Sequence, residues 1–95
     1  MTRFRKRPIE ITAMQWTGGN ETELNTFTGG RFRAVPRKER PGDLAITAEV
    51  HDDLHATWVG VKTGHWVIRG VSGEYYPIDE DVLAETYDRI EEFTP

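Results

Sequence analysis

The chain of 95 residues contains no cysteine. Disulfides and thiolate metal sites are therefore excluded, and no oxidising compartment is required. Serine occurs once, as Ser72, in Gly70-Val71-Ser72-Gly73, which is not the G-x-S-x-G elbow that mounts a hydrolase nucleophile. No Walker or dinucleotide glycine pattern is present. No apolar run approaches the roughly 18 residues needed to cross a bilayer, so no membrane association is expected. Residues 1–7 are basic but no apolar stretch follows them, so no secretory signal is read and a cytoplasmic location is the expectation. No nucleophile–base or metal constellation is visible. A non-enzymatic protein without a cofactor is expected.

What is present fits one small folded domain spanning 1–95, with an apolar fraction of 37% and a charged fraction of 29%. A core of this size is marginal, which makes a homo-oligomer physically reasonable. The net charge of −4 hides an uneven distribution. Residues 1–42 carry nine Lys/Arg against four Asp/Glu, a balance of +5; residues 43–95 carry three against twelve, a balance of −9. The basic half can complement the acidic half within the fold, or face an anionic ligand. Residues 1–7 form a basic arm. Contact with nucleic acid, beyond weak contact through that arm, is not expected.

Alternation predicts a strand over 8–16, with Ile9, Ile11 and Ala13 on one face and Met14 and Trp16 on the other. Asn20 is a good N-cap, and Glu23 stands where a capping-box partner should. A helix over 21–27 follows, with Leu24 and Phe27 as its apolar stripe and Gly29 and Gly30 as its stop. Residues 31–35 read as a short strand with one basic face. The stretch 36–42, bracketed by Pro36 and Pro41, reads as the most mobile loop. Strands are expected at 43–50 and 55–61, joined by a turn at 51–54. A β-rich run over 65–69 and a short strand over 74–76 flank the glycine turn 70–73, with Pro77 ending the second strand. Asp79 should then cap a helix over 79–86, stapled by Ile78 and Leu83, with Val82, Leu83 and Tyr87 facing the core. Residues 87–93 fit a strand or a helix continuation, with a short strand preferred. The architecture is α+β: a mostly antiparallel sheet of five to seven short strands with two short helices, about 21–27 and 79–86.

His51 and His55 with Asp52 and Asp53 are the only metal-like cluster, but their strand-and-turn flanks break the helical i, i+4 geometry that zinc needs. A solvated hairpin tip explains them better. The carboxylates of Asp79 and Asp81 are explained by helix capping. What remains is an inventory of aromatic and arginine side chains. Trp66, Arg69, Tyr75 and Tyr76, with Arg31 and Arg33 supplying charge, suit a planar anionic ligand by stacking and bidentate contact. Alternation puts Arg69 and Trp66 on opposite faces of their strand, and core packing is the competing explanation for the large aromatics.

The run WVIRGVSGEYYP over 66–77, followed by Asp81 and the Thr86-Tyr87 pair, resembles a recurrent signature of small proteins of unknown function encoded by bacteriophages and prophages. That signature approximates PGDWIIKGVKGEFYP, then a short helix ending TYE. Arg5-Lys6-Arg7-Pro8-Ile9 and Met14-Gln15-Trp16-Thr17-Gly18 resemble the same family's RKKPV and IQWTG, and Phe27-Thr28-Gly29-Gly30 fits as well. Residues 31–63 match weakly, Thr63-Gly64-His65 stands where Pro-Gly-Asp is usual, and Asp88 replaces a glutamate. The resemblance implies a phage accessory protein in the host cytoplasm and brings no catalytic residues. It makes two partners reasonable: a small anionic, nucleotide-like ligand of host defence that the protein sequesters, or a host or phage protein on which it docks.

Overall fold

The computed structural model of the chain describes residues 1–5, 9–40 and 42–90. Along these the order is β1 (Thr12–Gln15), α1 (Glu21–Phe27), β2 (Phe32–Ala34), a 3-10 turn (Arg37–Glu39), β3 (Ile46–Asp52), β4 (Thr57–Lys62), β5 (Trp66–Arg69), β6 (Tyr75–Ile78) and α2 (Glu80–Thr86). All strand pairs are antiparallel. The fold is α+β with two short helices, as the sequence pattern predicts. Its strands divide into two three-stranded sheets, ordered β1-β5-β6 and β2-β3-β4. The hairpin β3–β4 recruits β2 as its third strand, while the hairpin β5–β6 recruits β1 from the other end of the chain.

The core lies between the sheets. Alternation along each strand sends Phe32, Ala48, Val50 and Val61 inward from one sheet and Val67 from the other, all fully or nearly fully buried with Trp16 and Leu24. Cross-strand register stacks Phe32 on Val50 on Val59, and Ala34 on Ala48 on Val61. Burying each of the larger aliphatic side chains contributes about 1.5–3 kcal/mol. Trp16 anchors the junction. Its ring meets Phe32 edge-on with centroids 5.0 Å apart, and its indole N–H donates to Thr47 Oγ1 at 2.9 Å. Its backbone N–H and C=O extend the β1–β5 ladder to His65 and Gly64.

Ile68 is fully buried but lies outside that cluster. It sits on the opposite face of the first sheet, with Tyr76 beside it across the β5–β6 ladder and Trp66 two residues before it. The segment after α2 returns to this face, where the Arg89 guanidinium carbon lies 5.6 Å from the Trp66 ring centroid and the Tyr87 phenol adjoins Tyr76.

α1 occupies the predicted residues and ends on a full Schellman motif. Gly30 N–H donates to Asn25 C=O and Gly29 N–H to Thr26 C=O, which requires the positive φ of Gly29, 64°. Gly60 is needed for a different reason: a Cβ there would meet Ile46 Cδ1 at 2.8 Å.

Several local expectations are corrected. Neither helix has a side-chain cap bond. Asn20 instead turns backward, accepting from Thr17 N–H and donating to Gln15 C=O. Tying down the preceding turn outcompetes the cap. Pro77 does not end β6 but sits within it, opposite Val67; β6 is an edge strand in its sheet, where a missing N–H costs no ladder bond. The β3–β4 turn falls at 53–56 rather than 51–54, because pairing continues to Asp52–Thr57. Val82 is 47% exposed and α2 buries no residue fully. Residues 87–90 carry no strand, and 91–93 lie outside the described residues. So do Lys6 and Arg7 of the basic arm, and Pro41 of the 36–42 loop, whose first part forms the 3-10 turn. No helix among the described residues is long and apolar enough to cross a membrane.

Candidate functional site

Of the six predicted site residues, the structure brings three together. Arg69 and Tyr75 face each other across the β5–β6 hairpin, and the Arg69 Nε donates to the Tyr75 hydroxyl at 3.2 Å. Both also donate to the Phe27 carbonyl at the end of α1, Arg69 Nη2 at 2.7 Å and Tyr75 Oη at 3.2 Å. The Arg69 guanidinium lies 4.6 Å from the Phe27 ring centroid and 5.8 Å from that of Tyr75, and the two rings meet edge-on. Arg31 flanks the same phenol at 6.0 Å. The cluster is a guanidinium held between two aromatic rings, with a second guanidinium alongside.

The two arginines differ in charge balance. Arg31 donates to Asp53 Oδ2 at 2.6 Å and to the Thr28 carbonyl. Asp53 also meets His51 Nδ1, and Arg31 first, then His51, holds its carboxyl below the usual carboxylate range. Arg69 contacts only neutral oxygens, and among the described residues no carboxylate lies within ion-pair distance of it. A guanidinium so placed keeps the capacity to pair with an anion.

The other three predicted residues lie elsewhere. Arg33 is on the outer face of the second sheet, ion-paired with Glu49 and stacked 4.2 Å over the ring of Trp58. Trp66 and Tyr76 share the face of the first sheet opposite Arg69. The Trp66 indole N–H is buried without a hydrogen-bond partner among the described residues. Burial, then the neighbouring Tyr87 and Glu74, pushes the Tyr76 phenol up. These two cannot meet a ligand that rests on Arg69, because adjacent strand positions point to opposite faces.

At the hairpin tip, His55 Nδ1 meets Asp52 Oδ2 at 2.7 Å, and that bond foremost lowers the Asp52 pKa. Among the described residues no group of three or more side chains has a metal-binding arrangement. Two concavities flank Ala34, Val35 and Pro36, of about 360 and 300 Å³, and neither is lined by Arg69 or Tyr75. These two hollows and the predicted aromatic–arginine cluster are therefore different places. Phe27 was legible only as a helix-face residue; nothing in the sequence marks its carbonyl as the shared acceptor. Comparison with protein-family models, curated proteins and solved structures gives no match for the chain.

Proposed function

We propose that the chain is a non-enzymatic binding protein for a small anionic, nucleotide-like ligand, with Arg69, Arg31 and Tyr75 at its contact surface. The observation carrying this reading is that Arg69 is fixed between the Phe27 and Tyr75 rings by neutral acceptors alone. The side chain is thus preorganised while its charge is left for a partner. The resemblance of residues 66–77 to phage and prophage proteins supports placing that function in an accessory role during infection, with a signal nucleotide of host defence as the sequestered molecule.

Native mass spectrometry of the protein after exposure to extract from phage-infected cells tests it. A nucleotide-sized mass increment is expected, lost in Arg69→Ala and kept in Arg33→Ala. A wild type that carries no more nucleotide-sized increments than Arg69→Ala overturns the assignment. A protein-sized increment or a dimer alone favours the second reading, docking on a protein. That reading draws on Trp58, 38% exposed and held upright on the outer face of the second sheet by Arg33 and His51.

A further inference from the structure

The larger hollow is built differently from the Arg69 cluster, and its polar groups are arranged in two opposed sets. In β2 the residues with odd numbers turn their backbone polar groups toward β3: Val35 N–H donates to Thr47 C=O, and Arg31 C=O accepts from His51 N–H. The residues with even numbers turn theirs toward α1, where Ala34 N–H donates to Glu21 Oε2 at 2.6 Å and Phe32 C=O accepts from Asn25 Nδ2. Past the last β2–β3 bond, Arg40 folds back from the 3-10 turn and donates its Nε to Val35 C=O at 3.3 Å. Glu21 and Arg40 are therefore anchored on opposite edges of the same backbone segment, and both line the hollow.

The Arg40 side is rich in donors. Its Nε bond leaves the terminal guanidinium nitrogens free of protein acceptors among the described residues, and no carboxylate there lies within ion-pair distance. On the floor, Thr47 accepts the Trp16 indole N–H, and the Thr47 and Thr63 hydroxyls bond to each other at 2.8 Å. Two hydroxyls carry two hydrogens and their mutual bond uses one. Whichever way that bond runs, one O–H remains to donate. Arg37 and Lys38 are exposed on the adjacent turn, with Glu39 beside them. Val35, Pro36 and Trp16 add apolar surface to the same lining. The hollow, about 360 Å³, is open to solvent along one side and large enough to admit a small molecule.

We propose that this hollow is a second binding site, independent of the Arg69 cluster. Its ligand is a small organic molecule with an oxyanion for the Arg40 guanidinium and an N–H donor for the Glu21 carboxylate. An amino-purine nucleotide and a free amino acid both have that chemistry, the anion being phosphate in one and carboxylate in the other.

The test is a ¹H–¹⁵N titration of the full chain with adenosine 5′-monophosphate in one arm and L-phenylalanine in the other. One arm at least is expected to move the Trp16 indole resonance together with the amides of Arg40 and Thr63, saturably. The arm that does so identifies the source of the anion. Arg40→Ala weakens that binding by about tenfold or more, the loss expected for charge-assisted hydrogen bonds. Arg40→Lys, which keeps the charge without the fork, recovers part of it, and Arg69→Ala leaves it unchanged. Because Arg40 contributes one backbone hydrogen bond at the surface, its variants should retain the wild-type spectrum elsewhere. Absence of saturable shifts at Trp16, Arg40 and Thr63 in both arms overturns the site, as does saturable binding that Arg40→Ala leaves intact. Loss in Arg69→Ala but not in Arg40→Ala assigns the binding to the other cluster and also overturns it.

Discussion

The two α-helices are equal in length, seven residues each, and open on acidic first turns, yet they are held in opposite ways. At this length neither is stable in water by propensity alone. α1 is fastened on every side. Leu24 is fully buried in the core, Glu21 and Asn25 bond the outer edge of β2, and Thr28 closes the end. The Thr28 hydroxyl donates to Leu24 C=O and accepts from Arg31 N–H. α2 buries nothing fully, and Thr86 bonds only its own helix, at Val82 C=O. The contrast teaches that similar local signals can start two helices while tertiary contact decides how firmly each is kept.

The largest expected break of that contrast is Leu24→Ala, which should lower unfolding free energy by about 2–5 kcal/mol in urea titration. Leu83→Ala, at a half-buried position of α2, should cost less than about 2 kcal/mol. Equal losses would show that α2 carries as much of the core as α1. A smaller effect separates the two threonines. Thr28→Val leaves the half-buried Arg31 N–H without its acceptor, while Leu24 C=O keeps the Thr28 N–H, and should cost about 1–3 kcal/mol. Thr86→Val, at an exposed position, should stay within about 0.5 kcal/mol by the same denaturant measurement.

The smallest effect concerns acid. Arg31 bonds the Thr28 and Gly29 carbonyls just past α1 and also Asp53, and the Asp53 carboxyl titrates lower in the folded chain than in the unfolded one. Stability from that link is fully present above the ordinary carboxylate pKa and is lost as pH falls through the lowered folded value. Amide protection factors at Gly29 and Gly30, which allow for the intrinsic slowing of exchange in acid, should therefore fall as pH drops before any change at Leu83. Arg31→Gln should move the Asp53 titration, read by NMR, upward. An unmoved titration would mean that the ion pair with Arg31 does not set it.

Much of the fold was legible because it rests on short-range rules. The helix at Glu21–Phe27, its glycine stop and the β5–β6 hairpin follow from an apolar stripe, turn glycines and alternation. The errors fall where a residue had a second use. Asn20 is a good cap by type but serves the preceding turn, and Pro77 ends strands in general but is tolerated at a sheet edge. The site was legible in part. Arg69 and Tyr75 are neighbours by hairpin register, and alternation already set Trp66 apart from Arg69. The meeting of both with Phe27 and Arg31 depends on where α1 lands on the first sheet, and no local pattern encodes it.

Composition alone determined that the chain carries no disulfide or thiolate site, and periodicity determined an antiparallel α+β domain with two short helices. Those properties depend on which residues are present and on their neighbours a few positions away. Only the tertiary structure decided that the strands divide into two sheets and that α1 is locked while α2 lies on the surface. It alone set Arg40 and Glu21 across one hollow and Arg69 and Arg31 around one phenol. Each of these joins residues far apart in sequence, through packing and hydrogen bonds that form only once both sheets close over the Trp16 core.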